Sequence, residues 1–151
     1  MTRAPLLILT TALLLQPACA WAQRLTLTVS QSNIAFVADD PDSTPTIASA
    51  PIVVTVRVQQ SPGPWHLSVQ ANGDLLSGAS SIDATQVTWT ASPAPPFQNG
   101  TLNKVVGQTM ASGTGNVNPA VSGSVVFRLA NSWTYSAGFY SQTVVFTLSA
   151  P

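Results

Sequence analysis

Residues 52–59 read Ile-Val-Val-Thr-Val-Arg-Val-Gln (IVVTVRVQ). In an extended chain successive side chains point to opposite faces. Ile52, Val54, Val56 and Val58 therefore share one side, and Thr55, Arg57 and Gln59 the other. The β-branched residues suit a pleated, half-buried surface. The stretch predicts a strand with one face in a core.

The same period extends in both directions. Downstream, Ser61-Pro62-Gly63-Pro64 forces a turn. Trp65, Leu67, Val69 and Ala71 then alternate with His66, Ser68 and Gln70, and Asn72-Gly73 predicts a tight hairpin turn. Upstream, Asp39 to Pro51 holds three prolines and three aspartates and reads as a loop. Before it, Leu25, Leu27 and Val29 form an alternating strand, which Asn33 to Val37 continues after a kink. Gln86 to Ala91 predicts a strand with Val87 and Trp89 inward, and the proline-rich Ser92 to Gly100 a loop. Thr101 to Met110 contains a strand of open register, and Ser112 to Gly123 reads as a loop of small residues. Val125, Phe127 and Leu129, then Val144, Phe146 and Leu148, close the chain with two clear strands. Short strands at this spacing, with no helical period after the leader, predict an all-β immunoglobulin-like antiparallel β-sandwich of about seven strands.

The first 22 residues predict a cleaved secretory signal helix. Arg3 supplies a positive start, Leu6 to Leu15 an apolar run, and Ala20-Trp21-Ala22 small residues at a cleavage site. Ten apolar residues span ~15 Å as a helix, too short for a bilayer core of ~30 Å. Cys19, the only cysteine, leaves with the signal on this reading; lipidation at that position is the competing one. Residues 23–151 then form a single domain, exported to the periplasm, the cell surface or the medium.

Composition excludes several partners. Residues 23–151 carry Arg24, Arg57, Lys104 and Arg128 against five aspartates and no glutamate. Four scattered cations cannot displace counterions from nucleic acid or hold an anionic membrane surface. With no cysteine after residue 19 there are no disulfides in that domain, so stability must come from packing and strand pairing.

Little chemistry is visible. His66 is the only histidine, it lies on the polar side of its strand, and no Gly-x-Ser-x-Gly elbow accompanies it. One histidine without cysteines cannot assemble an ordinary zinc site. Asp39, Asp40 and Asp42 crowd one loop and are the one candidate calcium ligand set, although the spacing lacks a calcium-loop signature and Pro41 interrupts it. No cofactor is expected. Trp65 and Trp89 fall on apolar faces and predict core positions, whereas Trp133, with Tyr135, Phe139 and Tyr140, forms an aromatic connection that is the candidate contact surface.

Trp65-His66-Leu67 after a Pro-Gly turn, Tyr135 to Tyr140 before the last strand, and the ending Phe146-Thr147-Leu148-Ser149-Ala150-Pro151 together resemble the WxL-type bacterial surface domain. That resemblance implies a β-rich module associated with peptidoglycan, whose motif positions here are Trp65, Leu67, Phe146 and Leu148. Phe146 stands where the second motif has tryptophan. The final hairpin is also similar to immunoglobulin-like pilins of the spore-coat-U kind, which polymerise by donating a strand. The expectation is a non-enzymatic surface or cell-wall-associated module acting in adhesion or scaffolding. Its partner is cell-wall glycan or another surface protein, with no nucleic acid and no membrane span. The alternatives are a pilin-like subunit that self-assembles by strand addition and a small carbohydrate-binding module.

Overall fold

The computed structural model describes residues 23–38 and 40–150. The signal segment with Cys19, and Asp39 of the calcium set, lie outside the described residues. The strands are β1 (Arg24–Val29), β2 (Asn33–Ala38), β3 (Thr46–Ala48), β4 (Ile52–Gln59), β5 (Pro64–Ala71) and β6 (Leu75–Ser77). They continue as β7 (Ser80–Ile82), β8 (Val87–Ser92), β9 (Gly100–Thr101), β10 (Gln108–Thr114), β11 (Val117–Ala130) and β12 (Gly138–Ser149). A single 3-10 turn, Ala84–Gln86, precedes β8, with Asp83 as its N-cap.

The strands form two antiparallel sheets, as expected for an all-β sandwich. One runs β1-β4-β11-β8-β9, with β3 also on β11; the other runs β10-β5-β12-β6-β7, with β2 also on β12. β11 and β12 are the two long strands, and each organises a sheet. β11 pairs β4 along its first part, β3 at Arg128–Ala130, and β8 on its other side. β1 and β2 are one segment that changes sheets at Ser30–Ser32, pairing first with β4 and then with β12. Bends of this kind are how sandwich corners are made.

The alternation at residues 52–59 is realised in full. Ile52, Val54, Val56 and Val58 are buried, and Val53 is exposed on the outer face. Trp65, Leu67, Val69 and Ala71 are buried on β5, and His66 is exposed, as its parity requires. Phe127 lies against Trp89 with ring centroids 6.2 Å apart and a tilted geometry favourable to aromatic pairs.

Three elements differ from the sequence reading. Ser112 to Gly123 is largely strand, divided between β10 and β11 by a turn at Gly115, whose φ is +73°. Its small residues are needed because aromatic rings cover them. The Trp65 ring lies over Gly113, its cross-strand partner, where an added Cβ would sit 2.7 Å from Cζ2. Phe97 covers Gly123 in the same way, and Trp89 covers Gly100. Asn72-Gly73 is a bend and not a hairpin turn: β5 and β6 both run along β12, and Asn72 N–H still donates to the Thr143 carbonyl at 3.0 Å. The hairpin turn falls between β6 and β7, at Gly78 with φ +57°. The expected loop between Asp39 and Pro51 contains β3, tied to β11 by buried Ser49, whose hydroxyl accepts from Phe127 N–H at 3.1 Å.

Trp89 and Trp65 differ in one respect that a mutation can read. The Trp89 indole N–H donates to the Gln98 carbonyl at 2.9 Å, whereas the Trp65 indole N–H is buried without a partner among the described residues. Trp89→Phe loses a hydrogen bond and Trp65→Phe removes an unsatisfied donor. Urea unfolding should therefore show Trp89→Phe to be the costlier change by about 1 kcal/mol or more. Equal losses would show that the Gln98 bond adds nothing net.

Candidate functional site

Two open regions adjoin β12. The first is the seam between β1 and the second half of β12. β5 pairs with Val144–Ser149 on one side of β12, while β2 pairs with residues 138–143 on the other. Beyond Val144, whose N–H donates to Ser32 at 2.8 Å, no strand of the described residues flanks that other side. Because N–H and C=O groups alternate sides along a strand, those of Phe146 and Leu148 point to the vacant side with Val144. β1 is likewise an edge, paired only with β4. Ser30 N–H donates to the Val53 carbonyl, so by the same alternation Leu25, Leu27 and Val29 turn their backbone groups outward. The side chains of Leu27, Val29, Phe146 and Leu148 are only partly buried, packed against the edge of the core.

The opposite seam is closed. There Phe97, joined to β10 by a bridge with Ala111, and Leu102 are fully buried between the sheets. The contrast between the two seams is therefore one of side-chain burial as well as of pairing.

The second open region is a cleft of about 290 Å³ at the start of β12, lined by Asp40, Pro41, Ser132, Trp133, Tyr135 and Ala137. Its two walls are the β2–β3 and β11–β12 connections. Asn131 stitches them together: its N–H donates to the Pro45 carbonyl and its side-chain amide to the Thr44 carbonyl, both at 3.0 Å. Trp133 is 70% exposed and Phe139 58%, with Phe139 directly opposite exposed Val37 on β2. Tyr135 is half-buried. Tyr140 is fully buried and donates its hydroxyl to the Ser136 carbonyl at 3.0 Å. That contact pins the connection as a tyrosine corner does. It also takes Tyr140 out of the expected contact surface, because its position in β12 turns the ring inward.

The four motif positions separate by depth. Trp65 and Leu67 lie in the core, and Phe146 and Leu148 line the seam. Leu148 pairs directly with Leu67 across β12 and β5. Of the four, Leu67 and Leu148 thus meet across the pair of strands, and Phe146 and Leu148 are the more accessible. Of the calcium set, Asp40 Oδ1 accepts from Asp42 N–H at 2.9 Å in a local turn, and no group of three potential ligands converges among the described residues. No helix among the described residues is long and apolar enough to cross a membrane.

One ionic cluster was not apparent from sequence, because its members lie far apart in the chain. Lys104 Nζ bridges Asp74 at 2.8 Å and Asp83 at 3.2 Å. It clasps the loop after β9 to the β6–β7 region, all near the surface. No family model matches this chain, nor does any curated protein or solved structure.

The clasp has a pH signature. Asp83 is held down to about 2, first by the Thr85 hydroxyl and N–H that bond its carboxylate and then by Lys104. Lys104 is raised above its ordinary value by its bonds to Asp74 and Asp83. The Asp83 contribution to stability is present above the ordinary carboxylate range and is lost as pH falls through about 2. The Lys104 contribution is lost as pH rises past its elevated value. A carboxyl NMR titration should place the Asp83 midpoint near 2. Thr85→Val should raise it more than Lys104→Ala does; the reverse ranking would make the ion pair the dominant cause.

Proposed function

We propose that this chain is an exported, non-catalytic surface or wall-associated module that works by scaffolding, and that it assembles by taking an extended strand from a second copy into the β1/β12 seam. The observation that carries this reading is the vacant side of β12 beside Phe146 and Leu148, where outward backbone groups coincide with half-buried apolar side chains. An added strand would gain main-chain hydrogen bonds for affinity and alternate side-chain contacts for register. Exposed edges of this kind are otherwise an aggregation liability that monomeric proteins blunt with charge or proline. Residues 144–149 carry neither.

The occupant that fits is β1 of another copy. Leu25, Leu27 and Val29 supply the required alternation, and β1 is held on one side only. Detaching it costs the β4 pairing, and the new pairing along a neighbour's β12 offsets that cost. The leader composition supports export, and the WxL-type likeness supports a wall-associated address. Wall contact by Trp65 or Leu67 is not supported, since both are buried.

Leu148→Pro separates docking from folding. It removes an outward N–H that no strand uses, while the β5 ladder relies on Val145, Thr147 and Ser149. The variant should keep its β-sheet circular dichroism and sediment as a monomer at concentrations where the parent chain forms oligomers. Thr147→Pro, which removes a hydrogen bond of the β5 ladder, should instead destabilise the fold, lowering the urea midpoint well below that of Leu148→Pro. A parent chain that remains monomeric at millimolar concentration, with or without purified cell-wall sacculi, would sink the assembly reading.

A further inference from the structure

We infer that the cleft between the β2–β3 and β11–β12 connections is a binding subsite for a neutral pyranose ring, stacked on Trp133 and oriented by the Asp40 carboxylate. This reading is independent of strand addition, since the cleft lies at the start of β12 and the seam along its end.

The argument begins with exposure. Among the described tryptophans, Trp65 is 2% and Trp89 1% exposed, whereas Trp133 is 70% exposed. Leaving an indole in water forfeits the stabilisation that burying it would give, roughly 25 cal/mol per Å² of apolar area. The segment is well tied down: Tyr135 N–H donates to the Ser132 carbonyl and Thr134 N–H to the Ser132 hydroxyl. An amphipathic ring held at a rigid, wet cleft is an apolar platform with a polar tip.

The polar groups beside it are of the kind that hydroxyls need. Asp40 uses Oδ1 to accept from Asp42 N–H, and Oδ2 makes no hydrogen bond among the described residues. The Trp133 indole N–H is also unused there. A carboxylate oxygen accepting from a sugar hydroxyl makes a charge-assisted bond, about twice as strong as a neutral one. An indole N–H donating to a ring or hydroxyl oxygen complements it. Pro41 adds a second rigid apolar contact.

Charge and size then narrow the ligand. Asp40 and Asp42 are the charged groups of the β2–β3 wall within the described residues, and the lining contains no cation. An acidic sugar would meet repulsion without a counterion. A volume of about 290 Å³ sits at the small end of ligand clefts. One ring with part of a second fits, and a long helical glycan does not. The flat C–H face needed for stacking belongs to pyranoses whose hydroxyls are mostly equatorial, those of glucose and N-acetylglucosamine configuration. The cleft is also preformed by the Asn131 bonds and the Tyr140 corner, which lowers the ordering cost of binding.

The test titrates the exported protein with cellotriose, chitotriose and tri-galacturonate while following tryptophan emission and, in parallel, calorimetric heat. Cellotriose or chitotriose should give a saturable blue shift with reduced acrylamide quenching, and tri-galacturonate should give none. Trp133→Ala should abolish the shift, and Asp40→Asn should weaken binding at least tenfold. Both positions are at the surface, so unchanged urea midpoints are expected for both variants. Failure of both neutral trisaccharides at 10-fold excess over a millimolar dissociation constant, about 10 mM, would overturn the inference. So would binding that survives Trp133→Ala. An effect of Trp133→Ala on self-association alone would assign the cleft to a protein contact and overturn it equally. Leu148→Pro should leave sugar binding unchanged, so loss of assembly and loss of the sugar site can be told apart.

Discussion

In a sheet each backbone N–H and C=O needs a neighbouring strand or water, and two strands, β11 and β12, decide how this molecule meets that demand. β11 is flanked by β4 and β3 on one side along most of its length, and by β8 on the other at Ser124–Leu129, its second half. β12 is flanked on both sides only over its first half, by β2 and by β6. The asymmetry arises because the first segment leaves β12 at Ser30–Ser32 and crosses to β4. Had it continued straight, the place beside Phe146 and Leu148 would be filled. The open seam is thus a consequence of topology, and the half-buried side chains along it follow from the seam.

Stability in residues 23–150 rests on close packing without disulfides. Two devices make that packing tight. Aromatic rings lie directly over glycines on neighbouring strands, so Trp65, Trp89 and Phe97 fill volume that ordinary side chains would contest. Side-chain hydroxyls and amides then tie loops to strands, as buried Ser49 does for β3 and Asn99 does by accepting from Ala91 N–H at 2.9 Å. Neither device needs charge. A surface of Ser, Thr, Asn and Gln is sufficient when loops are anchored by hydrogen bonds of this kind.

The sequence made the period-two strands legible because one face of each is buried, which writes alternation into β4, β5, β11 and β12. It misled where small residues were concerned. Ser112 to Gly123 looks like a loop because glycine and serine are depleted in strands. Here they are strand residues because the rings of Trp65 and Phe97 require the space above them, a pairing between distant positions that no local window contains. Asn72-Gly73 misled for a related reason: its turn chemistry is real, but β12 is long enough to keep β5 and β6 in one line. Of the aromatic connection, Trp133 and Phe139 are exposed, while Tyr140 is inward by the parity of β12. The contribution of Asp40 to the cleft was legible only as a loop carboxylate, since its approach to Trp133 depends on Asn131 joining the two connections.

The two open regions sit at opposite ends of one strand. From Gly138 to Leu148 β12 advances ten residues, about 33 Å at strand spacing. A neighbour seated along Phe146 and Leu148 would therefore leave the cleft at Trp133 uncovered. The same geometry makes β12 the link between the edge we propose for assembly and the cleft we propose for sugar binding, and the Tyr140 corner fixes the cleft's connection to that strand. If both proposals hold, the two roles need no moving part. They need only that the strand whose end is open for pairing begins at the loop that carries the exposed indole.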